Sequence, residues 1–323
     1  MTFSPDEVLA DALRRRIGSR HPVAAAATVS AGRIGVSALG ATLDADFELG
    51  SISKGITGLL YADAIERGEV RPESTLGELL PLHGSAAAGV TLAALSTHTS
   101  GLPSIPPAAQ PLRRSLRLWT RGSNPYGQTL DQVLKQTRTV TLSTPRPRYS
   151  NLGFQLLGHA VASAAGRSYT ELLRDRLTEP LGLTTMYAPS RPADLRPAAI
   201  LGRDRRGRAA EAWTGEALAP AGGIRSSIAD AAGLARALLD GSAPGTAALD
   251  PVRNYTGPAV RIGAGWITLE TRGRQITWHN GGTGGFRTWI GLDRAAATAV
   301  VLLSATAVSV DRHGMAMLRE LGE

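Results

Sequence analysis

Apolar residues recur at helical spacing near the start of the chain. Val8, Leu9, Ala12 and Leu13 share one face, which predicts a helix over residues 5–18. The period then changes. Val23 to Ser30 and Ile34 to Leu39 flank the turn signal Ala31-Gly32-Arg33 and predict a hairpin within 22–40. From Ser51 the helical period returns in Ile56, Leu59, Leu60 and Ile65, and Gly68 ends it. Residues from about 70 to 215 read as helices broken by long Pro/Gly loops, clearest at Gln155 to Ala165 and Tyr169 to Leu177. Ser227 to Leu239 forms another helix, with Ser226 or Ser227 as its N-cap. Strand patterns follow at Val260 to Leu269, Gln275 to His279, Phe286 to Leu292 and Thr298 to Leu303, and a helix over about 309–321 closes the chain. Strands at both ends with helices between predict one sheet built from the two ends. Residues 1–68 and 215–323 would form a discontinuous α/β sheet domain, and residues 69–214 an inserted helical domain.

Composition narrows the chemistry. The 323 residues are 43% hydrophobic and 19% charged, which suits a packed core. There is no cysteine, which excludes disulfide frameworks, thiolate metal sites, iron–sulfur clusters and a Cys nucleophile. The net charge of +8 invites a nucleic-acid reading, but the Arg residues are scattered and aromatics make up only 5%. No nucleic-acid partner is therefore expected. Two Arg-dense stretches, Pro111 to Arg121 and Arg203 to Arg208, read as a solvated helix face and a hairpin tip; docking of an acidic partner is the sharper alternative. The chain has only two lysines, Lys54 and Lys135. A Lys kept where Arg is otherwise the rule can do one thing Arg cannot, which is lose its proton. The start, Met1-Thr-Phe-Ser-Pro-Asp-Glu, carries acid where a secretion signal needs base. The longest apolar run near the C-terminus, Ala295 to Leu303, is too short to span a bilayer. A cytoplasmic protein without a membrane span is expected.

Three segments could carry chemistry. Ser51 and Lys54 lie three apart at a helix entry and so share a face. The helix N-terminus favours an alkoxide, and a neutral amine one turn on can take the hydroxyl proton. The plain alternative is an N-cap serine beside an exposed lysine. Tyr149-Ser150-Asn151 precedes a helix: a tyrosine can act as general base, and an Asn amide can hold both a Lys and a substrate carbonyl. The alternative is a cap with a packed ring. In Trp278-His279-Asn280-Gly281-Gly282-Thr283-Gly284-Gly285-Phe286, a strand end runs into glycines that let a backbone N–H approach a ligand, as an oxyanion hole requires. A flexible connection is the alternative here. His98 reads as structural and His159 as packing or surface; no His/Asp/Glu cluster has metal-ligand spacing, and no G-x-S-x-G elbow is present.

Taken in order, these segments resemble the serine β-lactamase / penicillin-recognising DD-peptidase superfamily, in its class C-like branch with esterases and D-amino peptidases. That family's Ser-x-x-Lys, Tyr-x-Asn and Lys-Thr-Gly elements correspond to Ser51–Lys54, Tyr149–Asn151 and His279–Gly281. Phe47 to Gly50, Leu95 to Pro103, Glu179 to Leu183 and Pro220 to Ser227 match as further landmarks.

The resemblance implies an α/β (α+β) fold: a mainly antiparallel sheet flanked by helices, plus an all-helical lobe. It implies that Ser51 attacks an ester, amide or lactam carbonyl. Lys54 and Tyr149 would move the proton, and Asn151 would orient Lys54 and the acyl chain. The N–H groups of Ser51 and Gly282 would hold the oxyanion, Asn280 and Gly281 would line the substrate, and His279 would stand where the family has Lys. No cofactor is implied. The substrate would be a small-molecule or peptide acyl compound, with a carrier-protein-linked one suggested by the basic stretch Pro111 to Arg121. With water as acceptor the protein is a hydrolase; with an amine or alcohol it is an acyltransferase or peptide-cyclising enzyme; a sensor that stays acylated is the non-enzymatic alternative. Two features depart from the family. His279 supplies a charge only when protonated, and Thr144-Pro145-Arg146-Pro147-Arg148 lacks the usual Pro-Gly pair before the tyrosine.

Overall fold

The computed structural model describes residues 4–105, 124 and 127–322, and the structural statements below concern those residues. The stretch Pro111 to Arg121 lies outside them. Helix α1 (Glu7–Ile17) leads into the hairpin of β1 (Ala24–Ser30) and β2 (Arg33–Leu39). Ser30 pairs with Arg33, so the turn has two residues, and Ala31 and Gly32 both take positive φ (49° and 75°) as a tight hairpin turn demands. The short strand β3 (Phe47–Glu48) enters α2 (Ile52–Glu66). The middle of the chain contributes α3 (Leu76–Leu79), α4 (Leu92–Ser96), α5 (Leu130–Thr137), α6 (Asn151–Ala164), α7 (Tyr169–Leu173) and α8 (Ala219–Gly222). After β4 (Arg225–Ser226) and α9 (Ile228–Asp240) come β5 (Arg253–Asn254), β6 (Val260–Ile262), β7 (Ile267–Thr271), β8 (Arg274–Gly282), β9 (Arg287–Asp293) and β10 (Thr298–Ser304), and then α10 (Asp311–Leu321).

Eight strands form one sheet in the order β2-β1-β10-β9-β8-β7-β6-β5, antiparallel at every pairing. The two ends of the chain thus meet where β1 pairs with β10. β10 shows no polar/apolar alternation because both faces are covered, and all its residues are buried. Val301 and Leu303 join Ala25, Ala27 and Val29 in the larger core, on which α9 packs. Val300 and Leu302 join Leu9, Leu13, Trp289, Met317 and Leu318 on the opposite face, under α1 and α10. Among the described residues, no helix is long and apolar enough to cross a membrane.

Two sequence expectations change in detail. The run Val260 to Leu269 is not one strand but the hairpin of β6 and β7. Gly265 takes φ +77°, and Trp266 turns fully into the core, where its Nε1 donates to Gly55 O at 3.0 Å. The helix beginning at Tyr169 becomes a π-turn over Arg174–Thr178. The helix clearest at Gln155 to Ala165 reaches back to Asn151, just after Tyr149-Ser150 as that motif suggested, because the Ser150 hydroxyl accepts the N–H of Gly153 (2.9 Å) and caps it.

β3 pairs with β4, and a fully buried guanidinium holds this pair. Arg225 binds Asp46 through Nε, Glu48 Oε1 through Nη1 (3.1 Å), and the carbonyls of Asp46 and Ile200 through Nη2 (2.9 Å each). Removing the cation would leave two buried carboxylates without it. Arg225→Met is expected to destabilise the fold by about 3–5 kcal/mol. Adding Asp46→Asn and Glu48→Gln should restore much of the loss. Urea unfolding of the three proteins checks this, and a single variant as stable as the parent would refute the role given to this cluster.

Candidate active site

β3 delivers the chain to Gly50, which takes φ +54° and lies against β8: a Cβ there would sit 2.5 Å from Gly282 N. The next residue, Ser51, precedes α2 and makes no side-chain cap bond. Its hydroxyl is not a helix cap. Lys54 Nζ donates to Ser51 Oγ at 3.1 Å and Tyr149 OH donates to it at 2.7 Å.

Lys54 is completely buried. Its Nζ also donates to the Ala221 carbonyl, at the end of the helix cluster, and lies 4.8 Å from the centre of the Tyr149 ring. Burial holds its pKa well below the usual lysine value, since an ammonium loses its hydration there. The amine is therefore poised to accept a proton.

Tyr149 is positioned by the loop before α6. Ser104 Oγ donates to the Tyr149 carbonyl at 2.9 Å, and the His98 ring lies 4.6 Å from the Tyr149 ring. His98 holds φ +56° and accepts the Ser150 N–H on Nδ1 at 3.1 Å. An acceptor nitrogen requires the neutral ring, and burial, then the charge of Lys54, holds the His98 pKa well below its ordinary value. The loop-bonding role expected for His98 is what the geometry shows. Buried His159 bonds the Glu216 carbonyl at 3.1 Å, away from this cluster.

Asn151 opens α6, half-buried, with its backbone N–H on Ser104 O at 2.9 Å. It is not among the residues lining the cleft in front of Ser51. His279 is buried, its Nδ1 2.6 Å from the Asn280 carbonyl, and burial followed by the charge of Lys54 lowers its pKa to about 4. A histidine at this position supplies a charge only when protonated, and burial here favours the neutral ring at neutral pH. Asn280, Gly281 and Gly282 do line the cleft. Gly281 has no room for a side chain, since a Cβ would lie 1.9 Å from Leu49 O, so β8 and the residues before Ser51 run in close contact.

The cleft has a volume of about 710 Å³. Besides Ser51, Tyr149 and residues 280–284, its wall includes Trp213, Arg205, Arg206, Arg208 and Arg287. The sequence reading missed Arg287 and Trp213, and it took Arg203 to Arg208 as a solvated hairpin tip, with docking of an acidic partner as the alternative. This segment is a hairpin tip, bridged between Arg203 and Ala209, but the tip faces the cleft.

A family model described as Beta-lactamase matches residues 9–322. The chain is 31% identical over 156 residues to the D-alanyl-D-alanine-carboxypeptidase/endopeptidase AmpH of Escherichia coli (strain K12), which covers 46% of this chain but only 38% of that relative. It is 27% identical over 269 residues to penicillin-binding protein 4 of Amycolatopsis lactamdurans, covering 76% of this chain and 68% of the relative. In fold it resembles a D-alanine carboxypeptidase AmpC from Burkholderia cenocepacia (TM-score 0.79, 21% identity, 98% of both chains). A class C beta lactamase from Rhodobacter sphaeroides is equally similar in fold (TM-score 0.79, 22% identity, 98% of both chains).

The depressed pKa of Lys54 has a consequence for stability. Between that value and 10.5 the unfolded chain binds a proton that the folded chain has shed, so this group makes stability rise with pH through the window. Lys54→Met should therefore stabilise the fold at neutral pH, with the gain shrinking toward pH 10.5. Urea midpoints of both proteins across this range check the expectation; a gain that grows with pH would contradict it.

Proposed function

The chain belongs to the beta-lactamase family, and from that premise we propose that Ser51 is its acylated nucleophile. A serine hydrolase is the general chemistry of this family. The observation that carries the assignment is one hydroxyl contacted by a buried amine at 3.1 Å and a phenol at 2.7 Å.

In the proposed reaction Lys54, acting with Tyr149, takes the proton of Ser51 as Oγ attacks an ester, amide or peptide carbonyl. The tetrahedral oxyanion is held by the backbone N–H groups of Ser51 and Gly282. Tyr149 passes the proton to the leaving group as the carbon–leaving-group bond breaks. Water then attacks the acyl-enzyme, gives its proton to the same pair, and frees Ser51 and the acid. Asn151 and His279 act by position, at the start of α6 and behind the cleft-lining part of β8, and Asn280 and Gly281 line the acyl chain. Neutral His279 offers no charge to a substrate carboxylate at neutral pH, so such a charge would come from the arginines of the cleft wall, and the reading stays with an esterase, D-amino peptidase or β-lactamase-like hydrolase. The names of the relatives keep D-alanyl peptides and β-lactams among the compounds to be tried.

Ser51→Ala is expected to abolish covalent labelling by a fluorophosphonate. Tyr149→Phe and Lys54→Met are each expected to lower kcat by about 10²–10⁴-fold. A panel of p-nitrophenyl esters, D-amino acid amides and nitrocefin, run with and without added amine, reads the substrate class and the acceptor. Labelling that survives in Ser51→Ala would move the nucleophile elsewhere. Amide product in place of acid would make the enzyme a transferase.

A further inference from the structure

The positive charge lining the cleft is not balanced within it. Four guanidinium groups, of Arg205, Arg206, Arg208 and Arg287, share the wall with two carboxylates, Asp204 and Asp311. Asp204 is already engaged: it pairs with Arg208 at 2.6 Å and accepts the N–H groups of Arg206 (2.8 Å) and Arg208 (3.0 Å). Asp311 accepts the Asn280 amide at 2.8 Å. Among the described residues, no carboxylate lies within ion-pair distance of Arg205, Arg206 or Arg287.

Arg287 is the best placed of these groups. It is half-buried, and a Cβ on Gly282 would lie 3.0 Å from its Nη1. Nη1 donates to the carbonyls of Thr283 (2.8 Å) and Phe286 (2.7 Å), which fixes the guanidinium plane. Arg205, anchored to the Ala307 carbonyl at 3.2 Å, acts on Arg287 as a like charge: burial first, and then this neighbour, lower the Arg287 pKa, against a smaller opposing effect of Asp311. Two like charges facing one cleft are unfavourable until an anion sits between them. Planar guanidinium forks suit the paired oxygens of carboxylate or phosphate.

We propose that Arg287, Arg205 and Arg206 form a subsite for a dianionic group on the substrate, a phosphate monoester or a pair of carboxylates, beside Gly282. The proposal deepens the reading of Ser51 as nucleophile, which fixes where the reacting carbonyl lies relative to this wall. The formal excess of two positive charges in the cleft matches a dianion better than a single carboxylate.

Binding to the Ser51→Ala protein tests this without any turnover. The probes are inorganic phosphate, succinate, acetate and neutral succinamide, titrated by calorimetry at low salt. Phosphate or succinate should bind at least tenfold more tightly than acetate, and succinamide should not bind measurably. Whichever dianion is tighter identifies the group. Arg287→Gln should weaken that binding about tenfold or more. Because Arg287 also ties two loop carbonyls, the exposed pair Arg205→Gln/Arg206→Gln provides a second variant with the same expected direction. Arg33→Gln, on β2 away from the cleft, is the control. Acetate binding as tightly as the dianions, or dianion binding indifferent to both arginine variants, overturns the proposal. Fluorophosphonate labelling reports on Ser51 and not on the arginine wall, so failure of the subsite and failure of the nucleophile give separate results.

Discussion

The site is organised around an amine that has lost contact with water. Lys54 has no exposed surface, and its contacts are a hydroxyl, a carbonyl and the face of a ring. An ammonium in such surroundings would be costly, so the neutral form is favoured. This condition reaches outward. α2 is buried from Ile52 to Ala64, which keeps Lys54 away from water. His98 and His279 are pushed toward neutrality partly by the same amine. Three bases thus share one buried region in which a proton on any of them opposes a proton on the others. An arginine at position 54 could not meet the condition, since its guanidinium stays charged. That gives a physical reason for a lysine in a chain that otherwise uses Arg for nearly every positive charge.

Backbone proximity does the remaining placement. Gly50 and Gly281 bring the strand before Ser51 against β8 at distances that exclude a side chain, and Thr288 Oγ1 fastens the contact by donating to Leu49 O at 2.7 Å. The buried Arg225 cluster anchors β3 from the other side. Tyr149 enters from a separate part of the chain, held through Ser104 and His98. The serine is therefore fixed by the sheet and the phenol by the helices.

Much of this was legible in the residues. The hairpin of β1 and β2, the helix after Ser51 and the strand-rich C-terminal third follow from periodicity, and Ser51 and Lys54 from their spacing. Tyr149 was one candidate among others on local reasoning, because what makes it matter is a contact across 98 positions; family resemblance singled it out. The run Val260 to Leu269 misled because its apolar content hid Gly263 and Gly265, which break the strand and let Trp266 turn inward. The protonation of His279 depends on its burial within the fold, which has no signature in a single strand.

The Arg203 to Arg208 segment shows how far a local reading reaches: it is the solvated hairpin tip its sequence suggests. A run of arginines beside glycine is ordinary surface sequence, and each of these side chains is in fact largely exposed. What changes its meaning is a neighbour from another element. Arg287 on β9 adds a half-buried guanidinium, and the exposed arginines then form the open side of a charged wall. The two sides of the cleft are opposite in electrostatic character. Behind Ser51 lie bases that burial pushes toward neutrality; in front lie four guanidinium groups, of which Arg208 alone has a carboxylate within ion-pair distance among the described residues. In the proposed reaction negative charge develops at the Gly282 end, between these regions. The same wall that would orient an anionic substrate would then also favour the tetrahedral oxyanion, a field that a neutral residue at 279 does not supply.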